Sequence, residues 1–267
     1  MCGRYATTRS TTDLAALFDA VDETGDALGP DYNVAPTDPV PVVRVTSAGH
    51  RAVSVARWGL VPAWAKDPRG GARMINARAE RVADAPAFAR SFARRRCLVP
   101  ADGWYEWRAP AEDRGKQDGR GKQVVRGKQV GRGRKQAYFM TPRDGAVLAL
   151  AGLWAVWGSG PDRLITCSIV TTAALGELAA VHDRMPLALP PVRWSEWLTG
   201  TAGADRLLAP PPDEVLAGLE IRPVGPAVGD VRNDGPGLIE LVSNFDDQMS
   251  MTLSGRQDPE PTDLTLF

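Results

Sequence analysis

The chain has 267 residues, 43% hydrophobic and 24% charged, and its 32 basic and 32 acidic side chains leave a formal net charge of zero. That composition describes a soluble globular protein with ample material for a core and excludes bulk charge as the force that attracts a partner; with no apolar run long enough to cross a bilayer and no secretion signal, a cytoplasmic protein is expected. Three widely spaced cysteines (Cys2, Cys97, Cys167), no CxxC and two histidines (His50, His182) argue against a zinc cluster and against a disulfide framework.

Met1-Cys2-Gly3-Arg4 opens the chain. Removal of Met1 would leave Cys2 with an amine and a thiol on adjacent carbons, and that amine, with a pKa of about 7.7 to 8.0, is partly nucleophilic near neutrality. Leu14, Leu17, Phe18 and Val21 recur at helical spacing, which predicts a helix over 11–21 with Thr11 or Thr12 as its cap. Tyr32 to Thr37 reads as a turn, and Val40–Val45 and Arg51–Trp58 as strands. Trp58 and Trp64 flank a Gly/Pro segment and read as core anchors or as an exposed stacking platform, the core being favoured.

A short helix is predicted around 87–93, followed by two strand-like pieces on either side of Pro100-Ala101-Asp102-Gly103. Cys97 and Cys167 lie in apolar runs and read as core thiols. Glu106 stands between Tyr105 and Trp107, where desolvation would raise its pKa and suit it to proton transfer; an outward residue on an alternating strand is the plainer alternative. From Arg114 to Gln136 a six-residue Arg-Gly-Lys-Gln pattern carries nine basic residues and one acid, and such a segment reads as a disordered insertion, bounded at 112–136.

Strands are predicted at 137–140, 147–156 and 163–171, helices at 191–198 and 213–219, and closing strands at 221–224 and 238–242. From Phe245 onward five acids face one arginine, so 244–267 reads as an acidic tail. Many strands with few interleaved helices predict an α+β fold, a single domain over 1–243 on a strongly curved, mostly antiparallel, barrel-like sheet with peripheral helices.

Taken together, Met1-Cys2-Gly3-Arg4, Tyr32-Asn33-Val34-Ala35-Pro36, Trp58-Gly59, Ile75-Asn76-Ala77-Arg78, Ala101 to Trp107 and His182-Asp183-Arg184-Met185-Pro186 resemble the SOS-response-associated peptidase (SRAP) family, whose members crosslink to abasic sites in single-stranded DNA. The resemblance implies that Cys2 is the nucleophile, that Asn76 orients the sugar, and that Glu106 and His182 move protons. It also implies DNA contacts by Arg4, Asn33, Trp64, Arg78, Trp107, Thr171 and Arg184, with no metal and no cofactor. Pro86 stands where related sequences often carry a basic residue. The expected partner is abasic single-stranded DNA, met by a monomer that associates with the nucleoid when bound. Asp263-Leu264-Thr265-Leu266-Phe267 is similar to the peptides that bind bacterial sliding clamps, which makes a clamp contact through Leu264, Leu266 and Phe267 a further expectation. Two other readings compete: a noncovalent reader of modified bases, and a cysteine peptidase pairing Cys2 with His182.

Overall fold

A computed structural model of the chain describes residues 2–25, 27–109 and 135–242. These form, in order, β1 (Arg4–Thr7), α1 (Thr11–Phe18), β2 (Val21–Asp22), β3 (Asp31–Val34), β4 (Pro39–Val45), β5 (Arg51–Trp58), β6 (Asn76–Arg78), α2 (Ala89–Arg94), β7 (Arg96–Ala101), β8 (Gly103–Arg108), β9 (Gln136–Pro142), β10 (Leu148–Trp157), β11 (Leu164–Ala173), β12 (Arg184–Pro186), α3 (Pro191–Thr199), α4 (Ala204–Leu207), α5 (Asp213–Ala217) and β13 (Leu219–Val224). Most of the predicted insertion and the whole predicted tail, with Leu264, Leu266 and Phe267, lie outside the described residues; Gln136 already belongs to β9.

The strands make two sheets, one ordered β13-β9-β8-β1-β3 and the other β12-β11-β10-β7-β4-β5-β2, with β6 added to β11. In the second sheet β5 also pairs with β11, in parallel, through Arg57 with Thr166 and Trp58 with Cys167. That pairing closes β11, β10, β7, β4 and β5 into a ring, so the α+β fold is curved and partly barrel-like, with antiparallel and parallel pairs. Alternation decides which side chains go where. Val42, Cys97, Val99, Leu150, Cys167 and Ile169 face one core cluster, joined by Cys2, Tyr5 and Trp104 from the first sheet. Their neighbours Val43, Leu98, Ala149, Ala151 and Val170 face the opposite way and are covered by Leu14 and Phe18 of α1 and Trp194 and Trp197 of α3. No helix among the described residues is long and apolar enough to cross a membrane.

Asp102 alone separates β7 from β8, and there the chain passes from one sheet to the other. Its N–H donates to the Ala6 carbonyl at 2.8 Å, its carboxylate accepts the Thr8 N–H at 2.6 Å, and its carbonyl accepts from the Thr141 hydroxyl at 2.7 Å. Gly103 follows because a Cβ at this position would strike the Met140 carbonyl and lie 2.9 Å or less from the Phe139 ring. Gly103→Ala is therefore expected to cost about 2 kcal/mol through overpacking, read as a lower urea midpoint.

Local differences from the sequence expectations have local causes. The first helix is capped by the Ser10 hydroxyl, not by a threonine, and ends at Phe18 because Asp19 turns left-handed (φ 49°), freeing Val21 to pair with Ala52. Asp31–Val34 is a strand on β1 where a turn was expected, with the turn confined to the residues that follow, where Thr37 has a φ of 83°. The segment expected as a final strand forms a short 3-10 turn, Pro236–Ile239, and Val242 reaches the β13 carbonyl of Pro223 by a single bond.

Candidate active site

Strand β1 delivers Cys2. Its ladder with β8 pairs Arg4 with Tyr105, Tyr5 with Trp104 and Ala6 with Gly103, and Cys2, just before the strand, enters the same core cluster as Tyr5 and Trp104. Cys2 is fully buried, its thiol 4.0 Å from the Arg4 carbonyl, and burial, then the charge of Glu106, pushes the thiol pKa up. The resting sulfur is therefore a neutral thiol.

The short strand β6 brings Asn76 to the same place. It runs parallel to β11, with Asn76 opposite Ile169 and Arg78 opposite Thr171. The Asn76 amide nitrogen donates to the Cys2 carbonyl at 2.7 Å, an assignment fixed by the fact that a carbonyl can only accept. Its Oδ1 is buried and accepts no hydrogen bond from the described residues, an arrangement that suits a donor arriving from a bound ligand. Behind it, the Trp58 indole N–H donates to the Ile75 carbonyl at 3.0 Å, which holds β6 in place.

Glu106 is 3% exposed, and burial lifts its carboxyl to about 7, with the amino-terminal charge acting in the opposite direction. A group that titrates near 7 both gives and takes protons at neutral pH. His182 lies between a 3-10 turn (Gly176–Ala180) and β12. Its Nδ1 accepts the Arg184 N–H at 2.9 Å, while Asp183 Oδ1 stands 2.8 Å from the same nitrogen. The Arg184 N–H calls for a lone pair on Nδ1 and the Asp183 carboxylate for a proton there, so the two contacts compete for one nitrogen. Burial, then the amino-terminal charge, lowers the His182 pKa below its ordinary value, which keeps the ring neutral at pH 7.

The residues expected to touch DNA fall into two groups. Arg78 and Trp64 are exposed, Trp64 at 67%, and Trp107 is half-buried on β8. Of the two tryptophans flanking the Gly/Pro segment, only Trp58 is a core residue. The loop bearing Trp64 leans toward the tip of the β10–β11 hairpin, where the Trp157 indole donates to the Ala65 carbonyl at 2.7 Å. Asn33, Thr171, Arg4 and Arg184 are engaged within the fold. Arg4 donates to Asn33 Oδ1 at 2.6 Å and to the Val228 carbonyl at 2.8 Å, and Asn33 in turn donates to the carbonyls of Asp230 and Asn233. Arg184 meets Glu80 with both terminal nitrogens, at 2.6 and 3.0 Å, and donates to the carbonyl of buried Thr171 at 2.6 Å.

Glu80 was given no role by the sequence reading, although it lies only two residues beyond Arg78. Its bidentate grip on Arg184 ties the β6 segment to the loop of His182. No group of three or more His, Cys, Asp or Glu that could hold a metal occurs among the described residues. A cavity of about 810 Å³ lined by Leu14, Leu17, Trp194, Val215 and Leu219 includes none of Cys2, Asn76, Glu106 and His182.

What the fold assembles is a site built on the first residues of the chain, set against a strand pair and a histidine loop, in a curved α+β domain. The family model described as SOS response associated peptidase (SRAP) matches residues 1–231, and the chain belongs to that family. It is similar to the abasic site processing protein YoaM of Bacillus subtilis, 34% identical over 74% of this chain and 79% of the relative. It is also similar to the abasic site processing protein YedK of Escherichia coli, 28% identical over 91% of this chain and 100% of the relative. A crystal structure of a Bacteroides thetaiotaomicron protein has the same fold, with a TM-score of 0.73 at 20% identity over 91% of this chain and 100% of that one.

Proposed function

We propose that the protein captures abasic sites in single-stranded DNA covalently, through a thiazolidine formed by Cys2 once Met1 has been removed. The abasic-site processing named in its relatives supports this reading. The observation that carries it is the meeting of Cys2, whose carbonyl is held by Asn76, with a buried carboxyl that titrates near neutrality.

The ring-opened sugar offers an aldehyde. The Cys2 amine adds to it, the carbinolamine loses its oxygen as water, and the thiol adds to the resulting imine. One C–N and one C–S bond form, and one water leaves. Glu106 in its acid form donates the proton that lets water depart, and as carboxylate it takes the thiol proton during ring closure. Neutral His182 is suited to assist ring opening. The Asn76 Oδ1 accepts from a sugar hydroxyl while its amide keeps the Cys2 backbone fixed.

Intact mass before and after mixing with an abasic oligonucleotide tests the proposal. The expected species is the chain without Met1, plus the DNA, minus one water, stable to denaturant. Cys2→Ala should lose that species while keeping an imine that borohydride traps, because the amine remains. An undiminished stable adduct from Cys2→Ala would overturn the mechanism. A general cysteine peptidase is less well supported, since it needs a thiolate and burial here pushes the Cys2 thiol the other way.

A further inference from the structure

The site just described gathers around one end of β11, where Ile169 and Thr171 pair with β6. Arg163 stands just before the other end of that strand, six residues from Ile169 and so about 20 Å away. Guanidinium groups collect there. Arg44 of β4 and Arg95, which follows α2, both lie over the Trp154 ring, 5.3 and 5.1 Å from its centre. Arg90 and Arg94 stand one turn apart on α2, both exposed, as is Arg163. Arg44 is paired with Glu23 at 3.1 Å. Arg90, Arg94, Arg95 and Arg163 form no ion pair among the described residues.

Like charges one helical turn apart repel, and this cluster adds Arg95 and Arg163 to such a pair. Burial first, and then the charges of Arg90 and Arg163, lower the pKa of Arg95. Trp154 anchors one edge of the cluster by holding two guanidinium groups against its ring. Three exposed arginines and the half-buried Arg95, set close together without ion-paired carboxylates among the described residues, match the spaced, bidentate acceptors of a phosphate backbone. The separation from Ile169, at the β6 edge of the site, fits as well, since about 20 Å spans roughly six phosphates of a helical strand.

We propose that Arg90, Arg94, Arg95 and Arg163 form a second DNA contact that holds the backbone of the strand flanking the captured site. This rests on DNA being the ligand of the Cys2 site, but it can be read without any crosslinking. Undamaged single strands, one long and one of about three nucleotides, too short to reach from the Cys2 site to the cluster, are titrated against the mature protein and a combined Arg90→Gln, Arg95→Gln, Arg163→Gln variant over a range of salt. On the long strand the slope of log affinity against log salt should fall by about 2, and binding should weaken about tenfold at ~0.15 M salt. On the short strand the two proteins should bind alike, and their adduct rates on a short abasic strand should agree. Arg163→Gln alone, a single exposed change, should lower the long-strand slope by about 0.7. Unchanged long-strand slopes, or equal losses on both lengths, would overturn the proposal. If the slopes change as expected and no adduct forms with abasic DNA, the flanking contact stands and the thiazolidine chemistry falls.

Discussion

Glu106→Gln is expected to make the protein more stable above neutral pH and at the same time to slow DNA capture by about a hundredfold or more. Both effects come from one proton. In the fold the carboxyl holds its proton up to about pH 7, against an ordinary value of 4.5, because burial penalises the charged form. Between those two values the folded protein binds more protons than the unfolded chain, so stability falls as pH rises. The favourable contribution is fully present below about 4.5 and is lost as pH climbs through 7, a change on the order of 3 kcal/mol for a group that is 3% exposed. Glutamine keeps the shape but cannot ionise. Urea unfolding at pH 5 and pH 8 should therefore show the variant losing less stability than the native protein between the two. The rate of adduct formation should lose its inflection near pH 7. Parallel stability profiles would mean that Glu106 ionises freely in the fold.

The second large effect is expected at Asn76. Its amide donates to the Cys2 carbonyl and its Oδ1 faces no protein donor among the described residues, so Asn76→Ala removes both the tether of the nucleophile and the acceptor offered to the sugar. Loss of one well-placed polar contact in a reacting site costs about 10²- to 10³-fold in rate. Asn76→Asp separates the two roles, since a carboxylate can accept from the sugar but cannot donate to the Cys2 carbonyl. If the tether matters most, the aspartate variant should be as slow as the alanine one; if the acceptor matters most, it should recover much of the rate. Single-turnover adduct formation at saturating DNA makes the measurement, and native rates in both variants would remove Asn76 from the mechanism.

The long strands were legible because their chemistry is local. Arg51–Trp58 and the runs around Cys97 and Cys167 are rich in β-branched and small apolar residues with clear alternation, and they form β5, β7 and β11. The short strands β1, β6 and β12 were not, because three or four residues carry too little pattern; they exist only as additions to ladders made by β8 and β11. Glu106 was noticed as a residue between aromatics, but the plainer expectation of an outward side chain is corrected, since the fold buries it. Glu80 was hidden for the opposite reason, since an exposed glutamate in a polar segment gives no sign that it will grip an arginine 104 residues away. Trp64 and Trp58 looked equivalent in the sequence, and only the path of the loop between β5 and β6 separates an exposed ring from a buried one.

The parallel pairing of Arg57 and Trp58 with Thr166 and Cys167 has a consequence in time. A ribosome adds roughly 5 to 20 residues per second, so more than a hundred residues of synthesis separate the two strands that close the ring. Until β8 and β11 are made, β1 has neither its full sheet nor the far wall of its core, and loop closure on this scale is slow compared with local folding. Cys2, fully buried in the fold, gains its complete enclosure only with these later strands. During that interval a leading methionine remains open to an aminopeptidase and the thiol to oxidants. On the reading given above, the order of folding therefore sets a deadline for maturing the residue on which capture depends.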